Sequence, residues 1–426
     1  MGRGTFRSQN KVGETFSFQT DSSSGATFDP LVTFLPGLSD RASWDLGEGG
    51  GYVADSSLSY TYPDTGTTKT VTLRTNKLSN LKQFQSDSDN IVGNLDMSGW
   101  DNLGGFFYIY SNPLLTGITH TTSTEVFSSY RVDSCDLTGN HDMSMLPGLG
   151  GTVFTFSNPN LTSITHTAST ESFGDYWVQN CNLTGNHDMS MFPNFSGQLL
   201  IYNNPLLTGI THTTSTGVIN TYRSSDCNIT GNHDVSMFPN LGGYFSIQSN
   251  PLLTSITHTA STQTFQAYLA WSCDLTGVHD VSMLTGLGGR FRTYLNPNLT
   301  DVTFPNSTQT FKNNSITNTT RAFVMNGCDL NYVNFLPLSG VNMDVDSTYG
   351  ASIGLEDNSM SVTDVNHILV DFDNISTNLN PAGWTGTTLD ISGTNAAPDS
   401  SSGGFDGIAA LSSLTGGTNN WTITTS

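Results

Sequence analysis

Charge is what this chain has least of. Asp, Glu, Lys and Arg together make 12% of 426 residues, and 14 Lys and Arg against 35 Asp and Glu leave a net charge of −21. A surface so poor in cations argues against nucleic acid or an anionic membrane as partner. The shortage of Glu and Lys also removes the usual material of long solvated helices. No apolar run approaches the roughly 18 residues that a membrane-spanning helix needs, so no membrane insertion is expected. The opening stretch, MGRGTFRSQNKVGETFSF, has no apolar core of the kind a Sec leader requires. Recognisable catalytic fingerprints are absent too: no GxSxG, P-loop, HExxH or dinucleotide-binding glycine pattern stands in a suitable context. No catalytic residue is therefore assigned, and the chain reads as a non-enzyme.

What is abundant is Gly, Ser, Thr and Asn, the residues of turn-dense β structure. The apolar share, 35%, is too high for a disordered chain. Self-comparison then organises the sequence. Asn112, Asn158, Asn204, Asn250 and Asn296 recur every 46 residues, and so do Cys135, Cys181, Cys227 and Cys273. Each Cys lies 23 residues from an Asn on either side. The unit is thus a pair of 23-residue half-repeats with alternating markers. Asp89 fills the preceding Cys slot, and Cys328 resumes the ladder after a nine-residue insertion.

A short strand precedes each marker. Five positions before it stand Phe107, Tyr130, Val153, Tyr176, Leu199, Tyr222, Phe245, Tyr268, Phe291 and Phe323. The residue three before is apolar or small, so alternation at period two buries both columns on one sheet face. Leu115, Ile118, Leu137, Met143 and Met145 follow as further core candidates. No single turn can bury these residues, but a stack of turns can. The segments FFYIYSNPLLTGI and YRVDSCDLTGN resemble the leucine-rich repeat, the first in its bacterial surface-protein (BspA-like) form. The resemblance covers about residues 77–360. It departs from the family where THTTSTEV and HDMSMLPGLGG read as turns rather than helices.

The ends differ. ASWDLGEGGG with SLSYTYPDTGTTKTVTLRT resembles a PKD-type immunoglobulin-like sandwich through Trp44, Asp45, Gly47, Gly49, Tyr60, Tyr62, Val71 and Leu73. That resemblance implies a spacer or adhesion module without an active site. Near the C-terminus, Thr363 is placed to cap a helix with Val365, Ile368, Leu369 and Phe372 on one face. Strands are expected at TLDISGTNAAP and WTITTS, around a short helix at GIAALSSL. The expected architecture is mainly β. Residues 1–20 form an attachment tail containing Arg3, Arg7 and Lys11. Residues 21–76 form the PKD-like sandwich, 77–360 the leucine-rich-repeat-type β-solenoid, and 361–426 a small α+β cap.

Several constellations invite chemistry. Cysteines on alternate turns lie roughly 10 Å apart if turns stack at about 4.8 Å, beyond disulfide reach, so free buried thiols are expected. His120, His166, His212 and His258 form one ladder, and His141, His187, His233 and His279, each followed by Asp, form another. A pair copied four times in frame suits a structural role better than a catalytic one, and no metal site is assigned. The Thr pairs Thr119/Thr121, Thr165/Thr167, Thr211/Thr213 and Thr257/Thr259 resemble those of ice-binding solenoids but fall only on alternate turns. The acidic stretches (Asp87 and Asp89; Asp344 and Asp346; Asp371 and Asp373) lack the spacing of an EF-hand. No cofactor is assigned, and calcium is the one ion they leave open.

Positions two and four before each marker should face away from the core. They hold Tyr108, Tyr110, Arg131, Phe154, Phe156, Trp177, Leu200, Tyr202, Arg223, Leu269, Trp271, Arg292 and Tyr294. Solvated sheet faces carry Thr, Lys or Glu, so this row reads either as a binding surface or as rings shielding one another and a neighbouring copy. The tail segment DISGTNAAP…WTITT is similar to C-termini of repeat proteins in phages and in marine bacteria. The expectation is a virion-associated adhesion protein, a tail fibre or surface projection that forms an oligomer. Its N-terminal region would attach to other virion proteins, and its solenoid would meet a host glycan or protein receptor. A bacterial cell-surface adhesin is the alternative, and a polysaccharide-degrading solenoid a third.

Overall fold

The computed structural model describes residues 13–22, 27–38, 41–55, 57–63, 67–311, 322–343 and 352–426. Arg3, Arg7, Lys11, Asp344, Asp346 and residues 312–321 of the insertion lie outside them. Strands hold 40% of the residues and helices 11%, so the chain is mainly β. It forms a β-solenoid of about ten turns of about 23 residues, in two compact units divided between Asn182 and Leu183.

In the first unit the main sheet runs from Leu31–Phe34, antiparallel, to Leu81–Gln85. It continues in parallel through Gly105–Tyr108, Phe127–Arg131, Leu149–Phe154 and Phe173–Trp177. In the second unit Gly197–Leu200, Ile219–Arg223, Leu241–Ser246, Phe265–Leu269 and Arg290–Arg292 stack in parallel in the same way. The sheet then runs on through Phe323–Val324, Ser352–Gly354, Thr388–Asp390 and Thr422–Thr424. On the opposite side, each Cys half-repeat pairs with the Asn half-repeat after it, as Gly139–Asp142 does with Leu161–Thr165. Thr230–Asp234 and Leu252–Thr257 pair likewise. Among the described residues between Leu81 and Phe311 there is no helix.

The columns read from sequence as core are the core. Phe107, Tyr130, Val153 and Tyr176 are fully buried, as are Tyr222, Phe245, Tyr268 and Phe291. In the second unit their rings stack at 5.5, 5.0 and 5.5 Å. Met145 departs from expectation: it is exposed while Met143 is buried, because the turn Asp142 begins aims alternate residues outward.

The marker residues close each turn. The residue before each one has a left-handed backbone, as at Ser111, Ser134, Ser157, Asn203, Asp226, Ser249, Ser272 and Leu295, and this bend leaves main-chain groups facing the core. Asn250 answers them: its Nδ2 donates to Ser224 and Ile247 carbonyls at 3.0 and 2.7 Å, and its Oδ1 accepts from the Ile229 amide at 3.0 Å. Asn158 repeats this with Val132, Thr155 and Leu137. Cys273, in the alternate half-repeat, offers only a thiol to the Ile247 carbonyl at 3.5 Å. There the backbone supplies the rest, with the Asp274 amide donating to the Leu253 carbonyl at 3.0 Å. The five cysteines are free and buried, and burial pushes their thiols up to about 12.

Glycine is required at one corner of the repeat. Gly243 has φ +61°, and a Cβ there would lie 2.0 Å from the Asn220 carbonyl oxygen. No other residue type fits beside a neighbouring turn at that distance.

Both ends differ from the sequence-based boundaries. Glu14–Asp21, all but its last residue assigned to the tail, is a strand paired over its length with Thr68–Thr75 and briefly with Ile91–Met97. The N-terminal strands therefore share sheets with the first turn and cover its open edges. Trp44, Val71 and Leu73 are buried in that region, and the Tyr62 hydroxyl donates to the Leu46 carbonyl at 3.2 Å. At the other end the ladder does not stop at residue 360. Asn358 donates to the Leu355 carbonyl at 2.7 Å and receives the Asn395 carboxamide oxygen on its own amide at 3.0 Å. The helix Val362–Asn374 starts two residues earlier than expected, capped by Ser361 in a reciprocal bond with Asp364. An acid three residues on makes Ser361 the better cap than Thr363. Val365, Ile368, Leu369 and Phe372 are buried as read.

Asn250→Ala leaves the Ile229 amide and the Ser224 carbonyl without partners, at about 1–3 kcal/mol each, while the Ile247 carbonyl keeps the Cys273 thiol. Urea unfolding is expected to show a loss of at least ~2 kcal/mol, and less than half that for Cys273→Ala. Equal losses from the two substitutions would contradict the closure described.

Candidate binding face

The outward face of the main sheet follows from the same alternation that builds the core. In the first unit Phe154 and Trp177, on paired strands, stack at 4.4 Å. Arg131 lies 4.1 Å from the Tyr110 ring centroid and forks onto Asp133 at 3.1 and 3.3 Å. Tyr108 sits edge-on to Tyr110 at 6.2 Å, and Phe156 lies 6.1 Å from Trp177. In the second unit Trp271 and Tyr294 stack at 5.1 Å, their planes nearly parallel at 7°. Arg223 lies over Tyr202 at 4.1 Å.

These rings are half-buried by one another rather than free in solvent. Leu200, Leu269 and Arg292, read as exposed, are buried, because large neighbours one strand away lean over shorter or flexible side chains. Even Ser225 and Ser246, at outward positions, have no exposed surface. Trp177 Nε1, Arg223 Nε and Arg290 Nε are buried without hydrogen-bond partners. A face of this kind offers flat rings and hydrogen-bond donors.

Sequence reasoning missed one column of it. Positions six before the markers also face outward, adding Phe106, Tyr244 and Arg290, with Phe106 exposed. Tyr244 has Arg223 and Arg290 at 5.7 Å on either side. The signal was present, since period two carried one step further reaches these residues.

The histidine ladders belong to the core. Tyr222 Oη meets His212 Nε2 at 2.9 Å and His233 Nε2 at 2.6 Å. Tyr130 bridges His120 and His141, both at 2.8 Å, and Tyr268 bridges His258 and His279, both at 2.8 Å. A hydroxyl donates once and accepts here once, so one imidazole of each trio donates through Nε2 and the other accepts. The following Asp residues turn outward and accept from the amide two residues on, as Asp234 does from Ser236 at 2.9 Å. The His–Asp pairs are thus a buried relay beside an exposed turn. Among the described residues, no three His, Cys, Asp or Glu gather to hold a metal. Asp89, Asp371 and Asp373 are each engaged separately, by the Asp29 amide, the Tyr332 hydroxyl and the Thr377 hydroxyl. The Thr column pairs with Asn, as Thr257 does with Asn232 at 3.0 Å.

Comparison with protein-family models, curated proteins and solved structures found no match. The reading of this face therefore rests on its geometry alone.

Burial holds His141, His187, His233 and His279 down to about 4 and His120 and His258 to about 3. Their ordinary value is near 6.5. Between about 4 and 6.5 the unfolded chain therefore binds more protons than the folded one, and stability falls as pH falls through that window. Urea unfolding between pH 7 and 4.5 is expected to report uptake of several protons, reduced in His258→Gln/His279→Gln. A flat profile would show that these imidazoles are not buried neutral.

Proposed function

We propose that the chain is a non-enzymatic adhesion protein of a virion, a tail fibre or surface projection, whose main-sheet face binds a host-surface glycan. The observation that carries this is the outward row of Tyr, Trp, Phe and Arg where a solvated sheet would hold Thr, Lys and Glu. Flat rings ordered in advance by stacking lose little entropy on binding, and Tyr, Trp and Arg are the side chains that dominate binding energies. The repeat is read as leucine-rich in type. The N-terminal region, PKD-like in its Trp44 and Tyr62 motifs, is read as the attachment end. The strands and helices beyond residue 360 are read as the cap of the far end. The same surface physics would serve a bacterial cell-surface adhesin.

A specific observation favours a second role for the row: its rings already contact one another. Substitution separates the two. Trp271→Ala in the full chain is expected to weaken retention on a glycan array or on host cells about tenfold, a change of ~1.4 kcal/mol, while the thermal midpoint stays nearly constant. A large drop in midpoint with unchanged binding would assign the ring to packing. Saccharide cleavage that depends on one carboxylate would remove the non-enzymatic reading.

A further inference from the structure

The first unit's outward face carries more acid than base. At positions two, four and six before its markers, from Gln83 to Gln179, stand Asp87, Asp133 and Asp175 against a single cation, Arg131. Arg131 is engaged by Asp133, which it meets through both Nε and Nη2. Neighbouring hydroxyls of the face answer one another too, Thr152 Oγ1 donating to Ser129 Oγ at 2.8 Å.

Two outward atoms of this unit are left out. Trp177 Nε1 and Gln179 Oε1 are buried without hydrogen-bond partners, and Gln179 exposes only 6% of its surface. The two residues stand two apart on one segment, and so on the same side of the sheet. The ladder holds them there, the Trp177 and Gln179 carbonyls accepting from the Thr155 and Ser157 amides at 2.9 Å each. Beside them lie the rings of Phe154, 4.4 Å from Trp177, and Phe156, 6.1 Å from it. Buried polar atoms are nearly always paired. A donor and an acceptor left open together beside a row of rings call for a group from outside.

We infer that this part of the first unit's face is a subsite for an uncharged saccharide, whose hydroxyls answer Trp177 Nε1 and Gln179 Oε1 while its rings lie on Phe154, Phe156 and Trp177. A hydroxyl both donates and accepts, so one kind of group serves both atoms. A carboxylate or phosphate has no proton for Gln179 Oε1, and an ammonium has no lone pair for the Trp177 N–H. An anionic polymer is further disfavoured by three carboxylates on the face and by a guanidinium that is already paired. Trp177 is only part buried, and a tilt of its ring would admit the ligand. This inference rests on the proposed reading of the main-sheet face as a glycan-binding surface.

The test is retention of the full chain on immobilised dextran, galactan and mannan (uncharged), polygalacturonate (anionic) and chitosan (cationic), compared at high salt, where attraction between net charges is screened. At least one uncharged polymer is expected to retain the chain about tenfold more strongly than either charged one. Gln179→Leu should lower that retention about tenfold. Its thermal midpoint should hold or rise, because an apolar side chain of similar size removes a buried unpaired atom. Trp177→Phe, which keeps a ring and loses the N–H, should lower retention likewise. A fall in midpoint with retention unchanged in both variants would make these residues packing groups and overturn the subsite. Retention lowered by Trp271→Ala but by neither of these two substitutions would overturn the subsite and leave the glycan-binding reading standing. Preference for polygalacturonate or chitosan at high salt would do the same. No retention on any polymer would overturn both.

Discussion

Everything in this molecule depends on closing a tight β-turn corner every 23 residues without stranding main-chain groups in the core. The bend at each corner is a left-handed residue, at Ser249 and Ser272 for instance, and it points amides and carbonyls inward. A buried unpaired group of that kind costs about 1–3 kcal/mol, and about ten turns would multiply the penalty beyond what a domain can bear. Asparagine solves the problem on one half-repeat, because one side chain both donates and accepts. Cysteine suffices on the other, because its following segment is one residue shorter before the next core leucine and the backbone bonds to itself. The alternation of Asn and Cys is thus a consequence of two different corner geometries.

The same period governs the interior. Tyrosine appears in the buried column only on Cys half-repeats, at Tyr130, Tyr176, Tyr222 and Tyr268, since only there do histidines approach from both sides. Neutral imidazoles give the hydroxyl a donor and an acceptor, so a polar trio sits inside an apolar stack without an ionic charge. Outside, the strand alternation that buries these rings displays the others. Core order and surface chemistry are coupled: a one-residue slip would exchange them.

Much of this was legible in the sequence because repetition turns one ambiguous strand into ten aligned copies. The buried columns, the free thiols and the turn role of Asp142 or Asp234 follow from spacing alone. The boundaries were less legible. Glu14–Asp21 does alternate, with Phe16 and Phe18 between polar residues, but its partner, Thr68–Thr75, lies some fifty residues away, and nothing local says what it pairs with. Asn358 and Asn395 escaped notice because insertions break the interval, although Leu355 and Ile353 before Asn358 repeat the apolar pattern. Histidine burial was hidden by the exposed Asp beside it. The extent to which outward rings cover one another depends on side-chain lean between strands, which no linear pattern encodes.

Register is therefore the point at which to press. Thr221 and Tyr244 are paired neighbours on adjacent parallel strands, within the 4.4–6.8 Å that a disulfide spans. Ala267 lies one strand further, roughly 10 Å from Thr221. Oxidation of Thr221→Cys/Tyr244→Cys, followed by mass spectrometry of the peptides, should give one intramolecular bond in high yield, and Thr221→Cys/Ala267→Cys should give none. Bond formation in the second pair, or its absence in the first, would contradict the stacked register on which the core, the corners and the displayed face all rest.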